Sequence, residues 1–119
     1  DPTRIPPGAV EITRTWPYRH EDTIRLLARV DHLVSFDEFT MLNLEAALLG
    51  TPVVLYPSGR WTRAEIEAIG LPPGICWHPD DLDTARTATA DAWPWYLTEV
   101  AQYPARLDRF IKETQTRWP

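Results

Sequence analysis

Three carboxylates and a run of small apolar residues share one short stretch of this chain, Ser35-Phe36-Asp37-Glu38-Phe39-Thr40-Met41-Leu42-Asn43-Leu44-Glu45-Ala46-Ala47-Leu48-Leu49-Gly50-Thr51-Pro52-Val53-Val54. An apolar, β-like run ends at its start, two acids follow, and helical spacing opens near Phe39 or Thr40. The first amides of a helix are unpaired and face the positive end of its dipole. Such a terminus suits a phosphate. Glu45 lies inside the helix among Leu44, Ala46, Ala47, Leu48 and Leu49. At 3.6 residues per turn it is roughly 200° around from Asn43, so the two do not share one solvated face, and one of them is expected in a cleft. A carboxylate in a cleft needs hydrogen-bond donors, and the vicinal hydroxyls of a ribose supply two.

These residues must be positioned by regular elements, and the apolar pattern supplies them. Runs rich in β-branched or aromatic residues at 9–13, 32–36, 52–56 and 74–77 predict four buried strands. Helical spacing fills the intervals at 21–30, 41–49 and 61–69, the second closed by Gly50 and Pro52 and the third by Gly70. Alternation of strand and helix selects a parallel sheet with helices on its faces. The predicted fold is α/β, a Rossmann-like three-layer sandwich with a parallel sheet and a C-terminal helical tail, and residues 1–119 read as a single domain. The tail comprises helices at 80–90, 92–103 and 105–117, with Pro94 and Pro104 starting or kinking them. Residues 2–7, rich in proline, read as an extended lead-in.

In open parallel sheets ligands bind beyond the carboxyl ends of the strands, which is where Asp37 and the start of the second helix fall. The stretch from Asp37 to Val54 resembles the donor-site signature of the retaining, GT-B-type glycosyltransferases. In that signature an acid, seven intervening residues and a glutamate precede a small-residue run, a Gly, a Pro and two valines. Here the acid is Asp37, the glutamate Glu45, and the tail Gly50-Thr51-Pro52-Val53-Val54. The later Gly74-Ile75-Cys76-Trp77-His78-Pro79-Asp80-Asp81 is similar to the family's next strand and helix start, so the resemblance spans residues 10–90. It implies that Asp37 faces the donor sugar, that amides around Thr40, Met41 and Leu42 hold the diphosphate, and that Glu45 binds the ribose. This chain departs from the family pattern twice: Asp37 stands where glutamate is usual, and Thr40 where the helix starts with glycine.

The resemblance implies glycosyl transfer from a nucleoside-diphosphate sugar in the synthesis of a surface polysaccharide or glycan. No metal or other cofactor is expected, because helix-terminus amides and basic side chains stabilise the departing diphosphate. The chain is expected to be the donor-binding, C-terminal half of a longer enzyme, with an N-terminal domain that takes a glycan or lipid-linked acceptor. No catalytic residue is assigned within it. Two other readings stand beside this one: a sugar-nucleotide epimerase of the same architecture, and a non-catalytic nucleotide-binding or docking module.

The remaining candidates carry two readings each. Asp37 either faces the sugar or caps the helix. Arg14 and Arg19, in the loop after the first predicted strand, either contact phosphate or are solvated surface charges. Trp16 either stacks on a nucleobase or belongs to the core. His20, His32 and His78 lack metal-ligand spacing and receive no chemistry. The lone cysteine, Cys76, reads as a buried strand thiol. Trp93, Trp95, Tyr96, Tyr103 and Phe110 crowd a region with no strand to cover, so an apolar patch and self-association are expected there.

Composition limits the function classes. A chain that is 44% hydrophobic and 24% charged belongs with soluble globular proteins. Twelve Lys and Arg against seventeen Asp and Glu give a net charge of −5, which argues against a surface built to neutralise nucleic-acid phosphates. No membrane span or signal peptide is read. The location expected is the cytoplasm, with the full-length enzyme peripheral at the inner face of the membrane.

Overall fold

The computed structural model describes residues 5–117, with side chains described through residue 113. Its elements in chain order are α1 (His20–Arg29), β1 (Leu33–Ser35), α2 (Met41–Leu48), β2 (Val53–Leu55), α3 (Arg63–Ile69), β3 (Ile75–Cys76), α4 (Leu82–Ala88) and α5 (Ala92–Arg117). Short 3-10 turns at Pro79–Asp81 and Thr89–Asp91 flank α4. The three strands form one parallel sheet in the order β1-β2-β3.

The register across this sheet sorts the core into two faces. Leu33 pairs with Val53 and Val53 with Ile75, while Val34 pairs with Val54 and Val54 with Cys76. Alternate strand residues point to opposite faces. The first set packs with Leu27 of α1 and Ala46 and Leu42 of α2, the second with Ala85 and Leu82 of α4. Helices therefore cover both sides of β2, as a parallel strand apolar on both faces requires. Polar ties fix the layers: Thr51 Oγ1 donates to the Leu27 carbonyl at 2.8 Å and Arg86 to the Asp31 carbonyl at 2.9 Å.

Two expectations are corrected. Residues 9–13 do not form a strand. The Thr13 amide donates to the Trp16 carbonyl, and Thr13 Oγ1 accepts from the amides of Thr15 and Trp16, so local turn bonds take the groups a sheet ladder would use. Only Ile12 of this run packs on the core, while Val10 is exposed. Nor does Pro104 separate two helices, because α5 continues through it to Arg117. The helix around it is exposed to solvent, so the carbonyl that loses its amide partner is open to water and the proline need not break the rod.

α5 docks by its first turn and then leaves the body. Ala92 is buried, and Trp93 Nε1 donates to the Leu48 carbonyl of α2 at 3.1 Å. At 1.5 Å per residue the helix is about 39 Å long. The radius of gyration, 16.3 Å, exceeds the roughly 13.5 Å expected for a compact domain of this length. Of the five rings expected in an apolar patch, Trp93, Tyr103 and Phe110 are exposed and Trp95 and Tyr96 half-buried. Trp118 and residues 1–4 of the lead-in lie outside the described residues. Among the described residues, no helix is long and apolar enough to cross a membrane.

The turn into β3 admits only glycine. Gly74 has φ +109°, and a Cβ built on it meets Thr89 Cγ2 at 2.7 Å. Gly74→Ala is expected to cost about 2 kcal/mol or more, from backbone strain plus overpacking, and to lower Tm in a thermal melt. Thr89→Ser keeps the hydroxyl that donates to the Arg86 carbonyl and removes the clashing methyl. In the double variant it is expected to recover part of the loss.

Candidate functional site

The carboxyl ends of all three strands open on the same edge of the sheet, where the loops after β1, β2 and β3 meet. Parallel pairing enforces this, since each strand exits in the same direction. Aromatic and charged side chains join the loops pairwise. Phe36 stacks on Tyr56 with centroids 5.7 Å apart, Phe39 meets Trp61 edge-on at 5.6 Å, and the Arg63 guanidinium lies 4.7 Å from the Trp77 ring centre.

Glu38 ties the β1–α2 loop to the β2–α3 loop. It is 4% exposed, and it accepts from the Ser58 amide at 2.7 Å and from the Ser58 hydroxyl at 3.0 Å on both carboxylate oxygens. Burial pushes its pKa up, yet the Ser58 amide, its own amide, the Ser58 hydroxyl and the Arg60 charge together hold it below the usual carboxylate range. This buried acid is missed by sequence reasoning, which singles out its neighbour Asp37. The signal that distinguishes them is a contact across twenty residues, and no local pattern contains it.

Asp37 itself is exposed. Its Oδ1 accepts from the Phe39 amide at 3.0 Å, and its carbonyl accepts from Ser35 Oγ at 3.0 Å and Asn43 Nδ2 at 2.8 Å. This is the local turn chemistry that aspartate favours before a helix. Thr40 is the N-cap of α2, and its side chain accepts from the Leu42 amide at 3.4 Å. The Asn43 amide goes to the Thr40 carbonyl. Two of the first amides of α2 are thus occupied within the loop, one of them in the segment 40–42 expected to hold a diphosphate. Met41 is exposed and Leu42 packs against the core.

Glu45 projects from the middle of α2 toward the start of α1. Its side chain is only 17% exposed, and Oε2 lies 3.1 Å from His20 Nε2. The two atoms are close enough to pair when the imidazole is protonated, but they do not meet in hydrogen-bond geometry, and Glu45 Oε2 is buried with no hydrogen-bond partner. Asn43, 2% exposed, is buried too, and its Oδ1 also lacks a partner. Neither residue sits on a solvated face. His20, which sequence reasoning passes over, is thereby a neighbour of the predicted site. It also lines an open groove of about 700 Å³ with Arg19, Glu21, Ile24 and Arg25.

Arg19 precedes His20 at the start of α1, but its guanidinium bonds to exposed Glu21 at 3.3 Å. Arg14 is exposed in the preceding turn. The structure thus brings Glu45 together with His20, holds Asp37 and Thr40 in one loop, and leaves both arginines in solvent. Trp16 is exposed as well. Cys76 is buried, and burial followed by the Asp81 charge pushes its thiol up. Among the described residues no three His, Cys, Asp or Glu side chains are grouped as metal ligands.

The Glu38 clamp has a pH signature. Its folded pKa is below the unfolded one, so the stabilisation is fully present above about pH 4.5 and is lost as pH falls through the folded value. Thermal melts across the acid range are expected to show the wild-type chain losing stability that Glu38→Gln has already lost at neutral pH. The difference at neutrality is about 1.5–3 kcal/mol, the usual worth of hydrogen bonds to a charged group. Parallel pH profiles for the two chains would rule the clamp out.

In comparison with known proteins, the chain matches no protein-family model, no curated protein and no solved structure.

Proposed function

We propose that the chain is the donor-binding part of a retaining, GT-B-type glycosyltransferase, a Rossmann-type three-layer domain that takes a nucleoside-diphosphate sugar and works with a further domain that holds the acceptor. The observation that carries the reading is Glu45. In the signature that suggests the family it is the ribose ligand, and its Oε2 is buried without a hydrogen bond. A buried carboxylate oxygen left in that state is costly. A pair of ribose hydroxyls would satisfy it. Glu45 also stands on the helix that follows β1 in a parallel sheet, the region where such sheets bind ligands.

In this reading the exposed His20 side chain swings away from Glu45 and the ribose takes its place beside the carboxylate. The diphosphate lies toward the N-terminus of α2, where the helix dipole favours it and the Thr40 hydroxyl supplies a hydrogen bond. Arg14 and Arg19 turn from solvent to the phosphates, at the cost of the weak exposed pair between Arg19 and Glu21. Asp37, held by the Phe39 amide, presents its carboxylate to sugar hydroxyls. The acceptor and the remaining half of the cleft come from the further domain.

Calorimetric titration with uridine, guanosine and adenosine diphosphates tests the reading. Glu45→Gln keeps the shape and removes the charge, so affinity for the preferred diphosphate is expected to fall about ten- to a hundred-fold. The melting temperature is expected to stay unchanged or rise, because the buried carboxylate oxygen that is replaced makes no hydrogen bond in the free chain. If Glu45 serves only to hold α1 through His20, the pattern is reversed, with lost stability and an unchanged Kd. The isolated chain is expected to bind weakly and to transfer no sugar, since positioning of the acceptor is a large part of the catalysis. Turnover by the chain alone would refute the need for a second domain.

A further inference from the structure

α5 carries an apolar stripe that the described body of the fold leaves in solvent. Every described side chain from residue 101 to 113 is exposed. Yet Leu97, Val100, Tyr103, Leu107, Phe110 and Ile111, at steps of three and four, are apolar and between 42 and 65% exposed. That spacing puts them on one face of a helix. A lone helix of this kind, with Pro104 in its interior, is marginal in water by itself, and a continuous exposed stripe marks an interaction surface.

The charges beside the stripe point to what covers it. Glu99 and Arg106 stand two turns apart on the same edge, joined at 2.7 Å. Between them Val100, Tyr103 and Pro104 line an open groove of about 590 Å³. Reversed about a two-fold axis through the groove, this edge is complementary to itself, since acid meets base at both ends. The same reversal brings Val100 and Tyr103 of the two copies together across the axis, sets Leu107 of each near Leu97 of the other, and places Phe110 and Ile111 beside Trp93 and Tyr96. Aromatic side chains bury about 150–250 Å² each, so two such stripes reach the lower end of a specific interface.

We infer that α5 pairs antiparallel with α5 of a second copy of this chain, across a two-fold axis near Val100 and Tyr103, with Glu99 of each copy against Arg106 of the other. Pairing of this type uses opposite charges on the flanks to fix register and orientation. In the single chain Glu99 and Arg106 satisfy each other; in the dimer they exchange partners, so no charge is stranded. The inference is independent of the ligand at Glu45.

Sedimentation velocity of the chain at high micromolar concentration is expected to show a dimer. The double variant Leu107→Glu with Phe110→Glu, at two exposed positions, is expected to be monomeric with the body of the fold intact by circular dichroism. Charge reversal reads the orientation. Glu99→Arg and Arg106→Glu each place like charges on the flank and are each expected to weaken dimerisation at least ten-fold. An equimolar mixture of the two is expected to restore it. One copy then carries arginine at both flanking positions and the other glutamate at both, so each contact across the axis again joins opposite charges. The intrachain pair cannot be restored by mixing, so recovery reports contact between copies. A monomeric wild-type chain overturns the inference, as does a dimer that survives the Leu107 and Phe110 changes or a mixture that stays monomeric.

Discussion

The burial of β2 on both faces is the constraint from which the rest follows. Val53, Val54 and Leu55 are essentially inaccessible to solvent, and β2 hydrogen-bonds to a parallel neighbour on each side. A strand in that position needs apolar cover above and below. Leu27 of α1 and Ala46 of α2 pack with Val53, and Ala85 of α4 with Val54. Parallel neighbours also need crossovers, so every strand exits at the same edge. Loops far apart in sequence are thereby collected at one place.

At that edge the three carboxylates of the signature stretch have three different jobs, set by what each meets. Asp37 is held in its own loop by the Phe39 amide through one carboxylate oxygen. Glu38 is buried against Ser58 and joins two loops. Of the three, Glu45 is both largely buried and short of a hydrogen bond. A buried oxygen in that condition has hydrogen-bonding capacity to spare, beside an imidazole 3.1 Å away. The chemistry proposed for this edge therefore rests on Glu45, with Glu38 keeping the loops around it in place.

α5 obeys a different constraint. Helices already cover both faces of the small sheet, so only the first turn of α5 docks, through Ala92 and the Trp93 indole. Beyond that point the apolar stripe and its flanking charges stand clear of the described body. The aromatic residues that the sequence places there read equally well as core, and the difference lies in where α5 points after it leaves α2.

Periodicity and turn residues determined α2, β2 and β3 and their parallel order, because each pairs an apolar run with Gly or Pro punctuation that works locally. Glu45 was legible for the same reason, as a lone charge in an apolar helix. The 9–13 run has the composition of a strand, but its residues satisfy their backbone through Thr13 and not through a sheet. Pro104 does not end α5, because its surroundings leave the freed carbonyl open to solvent. The Glu38–Ser58 clamp, the closeness of His20 to Glu45 and the course of α5 were decided by tertiary structure alone. Each joins residues that no period or spacing relates, and only the stacking of α1, α2 and the strand loops brings them within reach.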